Sequence, residues 1–348
     1  MSDRILELLK ELCAIPGPVG REDMVQNYVR EHLKEFSDDI RTDKIGNVIA
    51  TIEGTSKHYA LVAHADEVGF FVSRIDDDGF LFTKWNTQGY KPDLRLLPGQ
   101  WVLIMTDSGF IPGRFCVKTA HIAGPKGKNT IPKDDEVFID IGVGSAEEVE
   151  EIGIYVGTPV VYAAPIERIG KQLMGKSFDD RIGLAQMIVL AEKISKTPKE
   201  NRPTISLVST VMEEIGAKGA PAIAQNLDVD GVLILEIGLA DDYPGTNNEV
   251  SIGLGKGPVI VIKDTQIVYS HKLNTKIIAT AEENNIDIQR AVYHNYATDG
   301  FPMAAHGQPV AVIAVPCRYS HSSFEAIDPT DVENTLDLIY HFLISEAK

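Results

Sequence analysis

The chain has 348 residues, a length that predicts two domains at roughly 150 residues each. Its formal net charge of -17 argues against nucleic acid and anionic membranes as partners, because phosphate-bearing surfaces repel an acidic protein. The 3 cysteines are scattered and lack CxxC spacing, which predicts neither a disulfide framework nor a thiolate zinc site and favours a reducing cytoplasm. The charged N-terminal stretch and the lack of a long apolar run predict a protein without signal peptide or membrane span.

The first predicted elements are two helices. Apolar residues recur at helical spacing from Ile5 to Leu12, the turn-forming sequence PGPVG at 16–20 ends this helix, and a second apolar stripe begins at Val25. Two strand candidates follow, NVIATI and YALVAHA.

The predicted secondary structure changes twice after these elements. From about residue 70 short β-rich pieces alternate with turn residues and predict no long helix, whereas beyond Ala164 helices and strands alternate to the end of the chain. Such alternation predicts a doubly wound, mainly parallel sheet with helices on both faces. We therefore predict an α/β domain made of residues 1–67 and 165–348, interrupted by a small all-β domain at 68–164.

Polar residues that could carry chemistry recur at the ends of the predicted strands. His64 ends an apolar strand, and Asp66 lies two residues further on, so both side chains point to the same side if the strand continues. A histidine at a strand end is often structural. A nearby carboxylate favours a metal ligand, because a metal-bound imidazole usually donates its second N–H to such an acceptor.

Acidic residues occur at similar places further along the chain. Asp179 and Asp180 precede a helix, where capping explains one of them but does not require two. Glu213 and Glu214 follow a strand, where a solvated loop is the ordinary explanation, and adjacent side chains there diverge. Glu236 follows apolar residues without a basic neighbour, so it needs either a cation or a distant Lys or Arg.

Combination of these residues is more informative than any one of them. In open α/β sheets ligands bind in the crevice outside the carboxyl ends of the strands. Two imidazoles and several carboxylates at that edge, without thiolates, are typical of a site for zinc, cobalt or manganese. The candidates are His64, Asp179, Glu213 or Glu214, Glu236 and His321.

Six short motifs occur in an order that resembles the TET-type metallo-aminopeptidases, the family that includes glutamyl, leucyl and deblocking aminopeptidases. They extend over essentially the whole chain and are IPGPVGRE, AHADEVG, SFDDRIG, VMEEIG, ILEIG and VPCRYSHSSFEAID. The resemblance implies a cytoplasmic hydrolase that removes N-terminal residues from short peptides with a free N-terminus.

The resemblance also implies two divalent metal ions in each subunit, zinc or cobalt first and manganese as an alternative. His64, Asp179 and Glu236 would bind one ion, while Asp179, Glu214 and His321 would bind the other, so that Asp179 bridges them. Many members of the family have aspartate where Glu236 stands here.

Two further roles follow from the same resemblance. Asp66 would orient His64, and Glu213 would be the general base that activates the attacking water. The peptide bond between Asp179 and Asp180 is expected to be cis. The family's β-barrel-like insert would form dimers, and the dimers would assemble into a hollow tetrahedral dodecamer.

Two other functions are compatible with paired carboxylates. A glycoside hydrolase of the cellulase type uses two carboxyl groups about 5–9.5 Å apart, but it leaves His64, His321 and Glu236 without a role. A catalytically inactive metal-binding assembly protein should have lost the base or a ligand, and none of these residues is missing.

Overall fold

A computed structural model of the chain describes residues 2–37, 39–89, 91–127, 129–247 and 249–347. The helices are α1 Asp3–Ala14, α2 Asp23–Leu33, α3 Ala120–Gly127, α4 Ala146–Glu151, α5 Phe178–Ser195, α6 Ala220–Ala224, α7 His271–Glu283, α8 Gly300–Ala305 and α9 Pro329–Ser345. Short 3-10 turns occupy Asp134–Glu136 and Lys199–Asn201. Within these described ranges, no helix has the length and apolar character needed to cross a membrane.

The strands fall into two groups. Those of the larger group are β1 Asp39–Thr42, β2 Val48–Ile52, β3 Thr55–His64, β10 Glu167–Ile169, β11 Gln172–Gly175, β12 Pro203–Thr210, β13 Gly231–Leu239, β14 Val259–Lys263, β15 Gln289–Val292, β16 Val310–Arg318 and β17 Glu325–Ile327. Those of the smaller group are β4 Gly69–Ile75, β5 Leu81–Trp85, β6 Trp101–Thr106, β7 Gly109–Val117, β8 Val137–Asp140 and β9 Pro159–Tyr162.

The larger group forms one mixed sheet of 11 strands in the order β1-β2-β12-β3-β13-β16-β17-β11-β10, with β14 beside β16 and β15 beside β14. The central strands β12, β3, β13 and β16 run parallel. At the two ends of this order the pairing is antiparallel, as in β1 with β2 and β10 with β11, whereas the outer strands β14 and β15 pair in parallel. The α/β class is therefore confirmed, but the sheet is mixed, because hairpins add β1 and β10 while helix α7 connects β14 to β15.

Alternate residues of the central strands belong to two separate apolar clusters. In β3, Leu61 and Ala63 pack with residues of α1, α2, α5, α7 and α9, whereas Ala60 and Val62 pack with residues of α6 and α8. This alternation is the period of two that an extended strand imposes. Helix α5 lies so deep that every residue from Phe178 to Ala191 is buried. The start of α5, where the backbone angles of Asp179 and Asp180 are not helical, is therefore buried in the interior of the protein.

The smaller group closes into a barrel in the order β4-β5-β8-β7-β6-β9. Its apolar core is separate from the two clusters of the sheet and includes Phe70, Ile104, Phe115 and Ile139. Two short helices, α3 of 8 residues and α4 of 6, accompany these strands. The division of the chain into two domains, with boundaries near residues 68 and 164, stays a prediction.

Candidate active site

The central strands place their last side chains in one row at the edge of the sheet. His64 ends β3 and pairs in register with Thr210, which ends β12. In β13, Ile234 pairs with Val62, so Glu236 lies two positions further along, beside His64. Because all these positions have the same parity, their side chains point to one face of the sheet.

Asp179 lies at the centre of the polar cluster that this row begins. Its Oδ1 atom is 2.9 Å from Nε2 of His64, and its Oδ2 atom is 3.4 Å from Nε2 of His321. The same nitrogen of His64 lies 3.7 Å from Oε1 of Glu236, and that of His321 lies 3.3 Å from Oε2 of Glu214. The structure thus brings all five predicted ligands into one cluster, with Asp179 between the two imidazoles.

Three of these residues bring their ligand atoms close together on both sides of Asp179. Ligand atoms of His64, Asp179 and Glu214 all lie within 4.8 Å of one another. The most exposed member of the cluster is His321, whose side chain is 38% exposed, whereas that of Glu236 is 5% exposed. The cluster is therefore closed by protein and opens to solvent beside His321.

The charges of the cluster fit a divalent cation. In the part of the chain that the structure describes, the ion-pair partners of Asp179, Glu214 and Glu236 are histidines and not Lys or Arg. Among the same residues, Oε1 of Glu214 is buried and has no hydrogen-bond partner. A buried carboxylate oxygen without a partner is costly, and a nitrogen and oxygen donor set is what zinc, cobalt and manganese accept.

The pKa values of the cluster reflect the same excess of buried negative charge. Burial raises the pKa of Glu214 to about 7, and it raises the pKa of Glu236 well above the usual value, with the charges of Asp179 and Asp180 adding to it. For His321, burial alone would lower the pKa, but the charge of Glu214 and the hydrogen bond to Asp179 raise it to about 10. Protons therefore compete with a cation for these groups.

Asp66 is fully buried and holds two parts of the site. Its carboxylate accepts hydrogen bonds from the backbone N–H groups of Glu213 and Glu214, both at 2.9 Å. Its carbonyl oxygen lies 3.1 Å from Nδ1 of His64, closer than its carboxylate at 3.6 Å. The backbone carbonyl, more than the predicted carboxylate contact, thus fixes the imidazole with Nε2 towards Asp179.

The side chains of Glu213 and Glu214 have different surroundings. Glu214 is buried and contributes an oxygen to the ion-sized cluster, whereas Glu213 is partly exposed and is not a member of it. Burial raises the pKa of Glu213 well above its usual value, with the charges of Asp299 and Glu214 opposing ionisation further. The turn therefore separates one carboxylate that faces the cluster from one that remains beside it.

For three buried acidic residues near the cluster, the sequence patterns predicted no role. Asp180 follows the cis peptide bond that the resemblance implied, and it accepts hydrogen bonds from the N–H groups of His64 and Gly183. Glu325 accepts the N–H of Asp179 at 3.1 Å. Asp299 accepts the hydroxyl of Thr210 at the end of the central strand β12. Asp180 could have been predicted from its position next to Asp179. Glu325 lies near the cluster because it begins the short strand β17.

A small cleft lies beside His321 at the barrel. It has a volume of about 20 Å³, room for little more than a water molecule, and its walls include Phe70, Trp85 and Tyr162. Lys91 also lines the cleft, with its ammonium 5.1 Å from the centre of the Trp85 ring. The cleft is thus apolar with a cation on one wall, in contrast to the acidic cluster at its end.

A family profile described as M42 glutamyl aminopeptidase matches residues 46–338. The chain belongs to this family. The M42 assignment confirms the resemblance to the TET-type enzymes, and it makes the chain a hydrolase with aminopeptidase activity.

Curated relatives cover almost the whole M42 chain. The candidate aminopeptidase FrvX of Escherichia coli (strain K12) is 33% identical over 97% of this chain and 94% of its own length. Lysyl aminopeptidase of Pyrococcus furiosus is 30% identical over 95% of this chain and 94% of its own length.

Solved structures have the same fold. An aminopeptidase of the archaeon Desulfurococcus kamchatkensis superposes with a TM-score of 0.90 at 32% identity, covering 99% of this chain and 97% of its own. The TET1 peptidase of Pyrococcus horikoshii, which can assemble into a tetrahedron or a large octahedral shell, gives 0.87 at 28% identity, covering 97% and 99%. A structure named endoglucanase, from Thermotoga maritima, gives 0.77 at 28% identity, covering 98% and 99%.

Proposed function

We propose that this aminopeptidase uses two metal ions to remove N-terminal residues from short peptides, with Glu213 as the general base. The observation that carries the proposal is the closed cluster of two imidazoles and three carboxylates around Asp179. Its buried carboxylates lack a Lys or Arg partner among the described residues, and a cation would complete them.

The ligands divide into two sets that share Asp179. His64 and Glu236 lie on its Oδ1 side, and Glu214 and His321 lie on its Oδ2 side. We assign one ion to each set, zinc or cobalt in the first place and manganese as an alternative. Two bound ions would lower the pKa of a water between them and polarise the carbonyl of the scissile peptide bond.

We assign the proton transfers beside this cluster to Glu213. It accepts a proton from the attacking water and then donates it to the nitrogen of the leaving amine. Its raised pKa suits a group that must hold the proton between the two transfers. Asp66 keeps its backbone in place, since the carboxylate of Asp66 accepts the N–H of Glu213.

The charges of the site account for the need for a free N-terminus. An ammonium group is attracted to a cluster that contains several carboxylates, and it can approach from the open side at His321. The rest of the peptide then extends outward past His321, near the small cleft whose wall includes Lys91 and Trp85. This polarity selects the end of a peptide rather than an internal bond.

Assembly and location are part of the same proposal. We assign the barrel region 68–164 to dimer formation and the dimers to a tetrahedral dodecamer. Large apolar side chains exposed on this region support an interface; they include Trp101, Ile122, Ile131, Tyr155 and Val156. The three free cysteines, of which Cys13 and Cys317 are buried, suit a cytoplasmic protein.

Hydrolysis of a polysaccharide is not supported by the site. A glycoside hydrolase needs two carboxyl groups facing each other across a sugar, whereas here imidazoles lie between the carboxylates. An inactive assembly protein is not supported either, because the chain retains Glu213 and all five residues proposed as ligands.

A panel of aminoacyl-p-nitroanilides tests the function directly. Metal-depleted protein should be inactive, and zinc or cobalt should restore cleavage of at least one member of the panel. The same substrates with an acetylated N-terminus serve as the matched control and should not be cleaved. No cleavage of any free-amino substrate by the metal-loaded protein would refute the proposal.

A further inference from the structure

Four consecutive backbone N–H groups in the turn after β12 donate to buried side chains instead of strand partners. We call residues 211–214 the glutamate turn. The N–H of Val211 donates to Oδ1 of Asn47 at 3.0 Å, and that of Met212 donates to Oε1 of Glu22 at 3.1 Å. The next two donate to Asp66, as described above. Side chains from outside the turn therefore determine where its residues lie.

Glu22 reaches the glutamate turn from the N-terminal part of the chain, 190 residues away in sequence. It is only 5% exposed, and the same oxygen also accepts the N–H of Gly20 at 2.8 Å. One helical turn later, the amide of Gln26 donates to the last two carbonyls of β12, at 3.0 and 3.3 Å. Hydrogen bonds from the loop before α2 and from the start of α2 thus fix the end of β12 and the turn that follows it.

The residue that Glu22 holds has an unfavourable backbone conformation. Met212 has a φ of 56°, in the left-handed region that side chains other than glycine rarely adopt. Such a conformation persists where the surroundings enforce it. Met212 directly precedes Glu213, so relaxation of this φ would swing the carboxylate of Glu213 away from its place beside the cluster.

We propose that Glu22 is a positioning residue for catalysis, which holds Met212 so that Glu213 reaches the attacking water. Glu22 is not part of the metal cluster and acts through the backbone. The inference rests on the proposed role of Glu213 as base. Asp66 cannot replace Glu22 in this role, because both of its oxygens already accept the N–H groups of the next two residues.

The substitutions Glu22→Ala and Glu22→Gln separate this role from general stability. Glu22→Ala removes the acceptor, and kcat should fall about 10- to 100-fold, since small misplacements of a reacting group have effects of this size. KM and the zinc content should stay within twofold of wild type. Glu22→Gln keeps an acceptor oxygen and should restore kcat to within about threefold of wild type. A neutral side chain is a fair substitute, because burial and the charge of Asp66 raise the pKa of Glu22 to about 7.

Asp331, near the C-terminal end of the sequence, provides a matched control. It is fully buried, and its carboxylate accepts the N–H groups of Gly255 and Gly257 in a turn that carries no predicted site residue. Asp331→Ala should lower the melting temperature about as much as Glu22→Ala while kcat changes less than threefold. Equal losses of kcat in both variants would show that Glu22 contributes stability alone.

A double substitution shows whether Glu22 acts through Glu213. Once Glu213→Gln has removed the base, adding Glu22→Ala should reduce the residual kcat no further, because the two residues form one unit. Independent, multiplying losses would overturn the proposal, as would a normal kcat in Glu22→Ala. If instead Glu213→Gln alone keeps wild-type activity, the assignment of Glu213 as the base is wrong. That result is distinct from a failure of the proposed role of Glu22.

Discussion

Two groups of buried carboxylates lie next to each other in this protein and differ in their charge balance. Glu67 is 1% exposed and has two cationic partners, Lys176 and Arg181. Burial would raise its pKa, but these cations and the hydrogen bonds to Lys176 and Ser177 lower it below the usual value. The carboxylates of the neighbouring cluster around Asp179 are also buried, yet their described partners are imidazoles.

The comparison separates a structural site from a functional one. The Glu67 group is neutralised by the chain itself and links the N-terminal loop to α5, since Glu67 also accepts the N–H of Gly17. The Asp179 cluster retains net negative charge unless protons or cations bind. Burial alone therefore does not identify a ligand site, whereas several buried carboxylates that face two imidazoles and no Lys or Arg indicate one.

Loss of Glu213, the proposed base, should have the largest effect. Glu213→Gln should reduce kcat by about 10²- to 10⁴-fold, because general acid-base catalysis contributes a factor of this size. The zinc content should be unchanged, since Glu213 is not among the cluster ligands. Glu214→Gln is the matched neighbour and should lower the metal content as well. Metal analysis with steady-state kinetics checks both, and loss of metal in Glu213→Gln would exchange the roles of the two residues.

Removing a cation from the Glu67 group should lower the stability of the protein without changing its catalytic residues. Lys176→Met leaves Glu67 buried beside one cation fewer and should lower the free energy of unfolding by about 3–5 kcal/mol. Lys193→Met removes the exposed pair with Asp337 and should cost less than about 1 kcal/mol. Urea unfolding of the metal-loaded protein measures both values. Equal effects would mean that burial does not distinguish these ion pairs.

Metal binding should release protons from the cluster that the chain does not neutralise. His321, with a pKa of about 10, and Glu214, with a pKa of about 7, must both lose protons to bind a cation. Affinity for zinc should therefore rise with pH from 7 to 9, by about tenfold for each pH unit and proton released. Calorimetry in two buffers of different ionisation enthalpy counts these protons. An affinity that is flat or falls over this range would contradict the prediction.

The smallest expected effect concerns the cation in the cleft. Lys91→Ala should raise KM about two- to fivefold for a dipeptide with a free carboxylate, the size typical of an exposed charge pair. The corresponding dipeptide amide should show no such change. Lys133→Ala, which removes another lysine of the barrel region, is the control. Equal KM changes for acid and amide would exclude a contact between Lys91 and the peptide carboxylate.

The sequence was most informative where local patterns decide the structure. His64 and Glu236 could be placed because each ends or follows an apolar run, and parallel strands bring such ends to one edge. The order of motifs was needed to distinguish Glu213 from Glu214. The outer strands were less predictable, since β10 and β11 are only 3 and 4 residues long and their pairing depends on distant strands.

Contacts between distant segments could not be inferred from local patterns. The bond from Met212 to Glu22 spans 190 residues, and the sequence around Glu22 indicates only a helix start. Likewise, the apolar content of α5 does not reveal that Arg181 within it is fully buried against the carbonyls of Leu12 and Ile15. Such contacts arise from tertiary packing, which local propensity does not encode.

The shared parity of the ligand positions on the central strands also protects strand register. A slip of β3 by one residue would turn His64 from the cluster towards the apolar face that holds Leu61 and Ala63. The same slip in β13 would carry Glu236 into the layer that contains Leu235 and Ile237. An unpaired polar or charged group there costs several kcal/mol. Burial of these proposed ligands on the wrong face would therefore oppose a misaligned sheet, whether or not a metal binds.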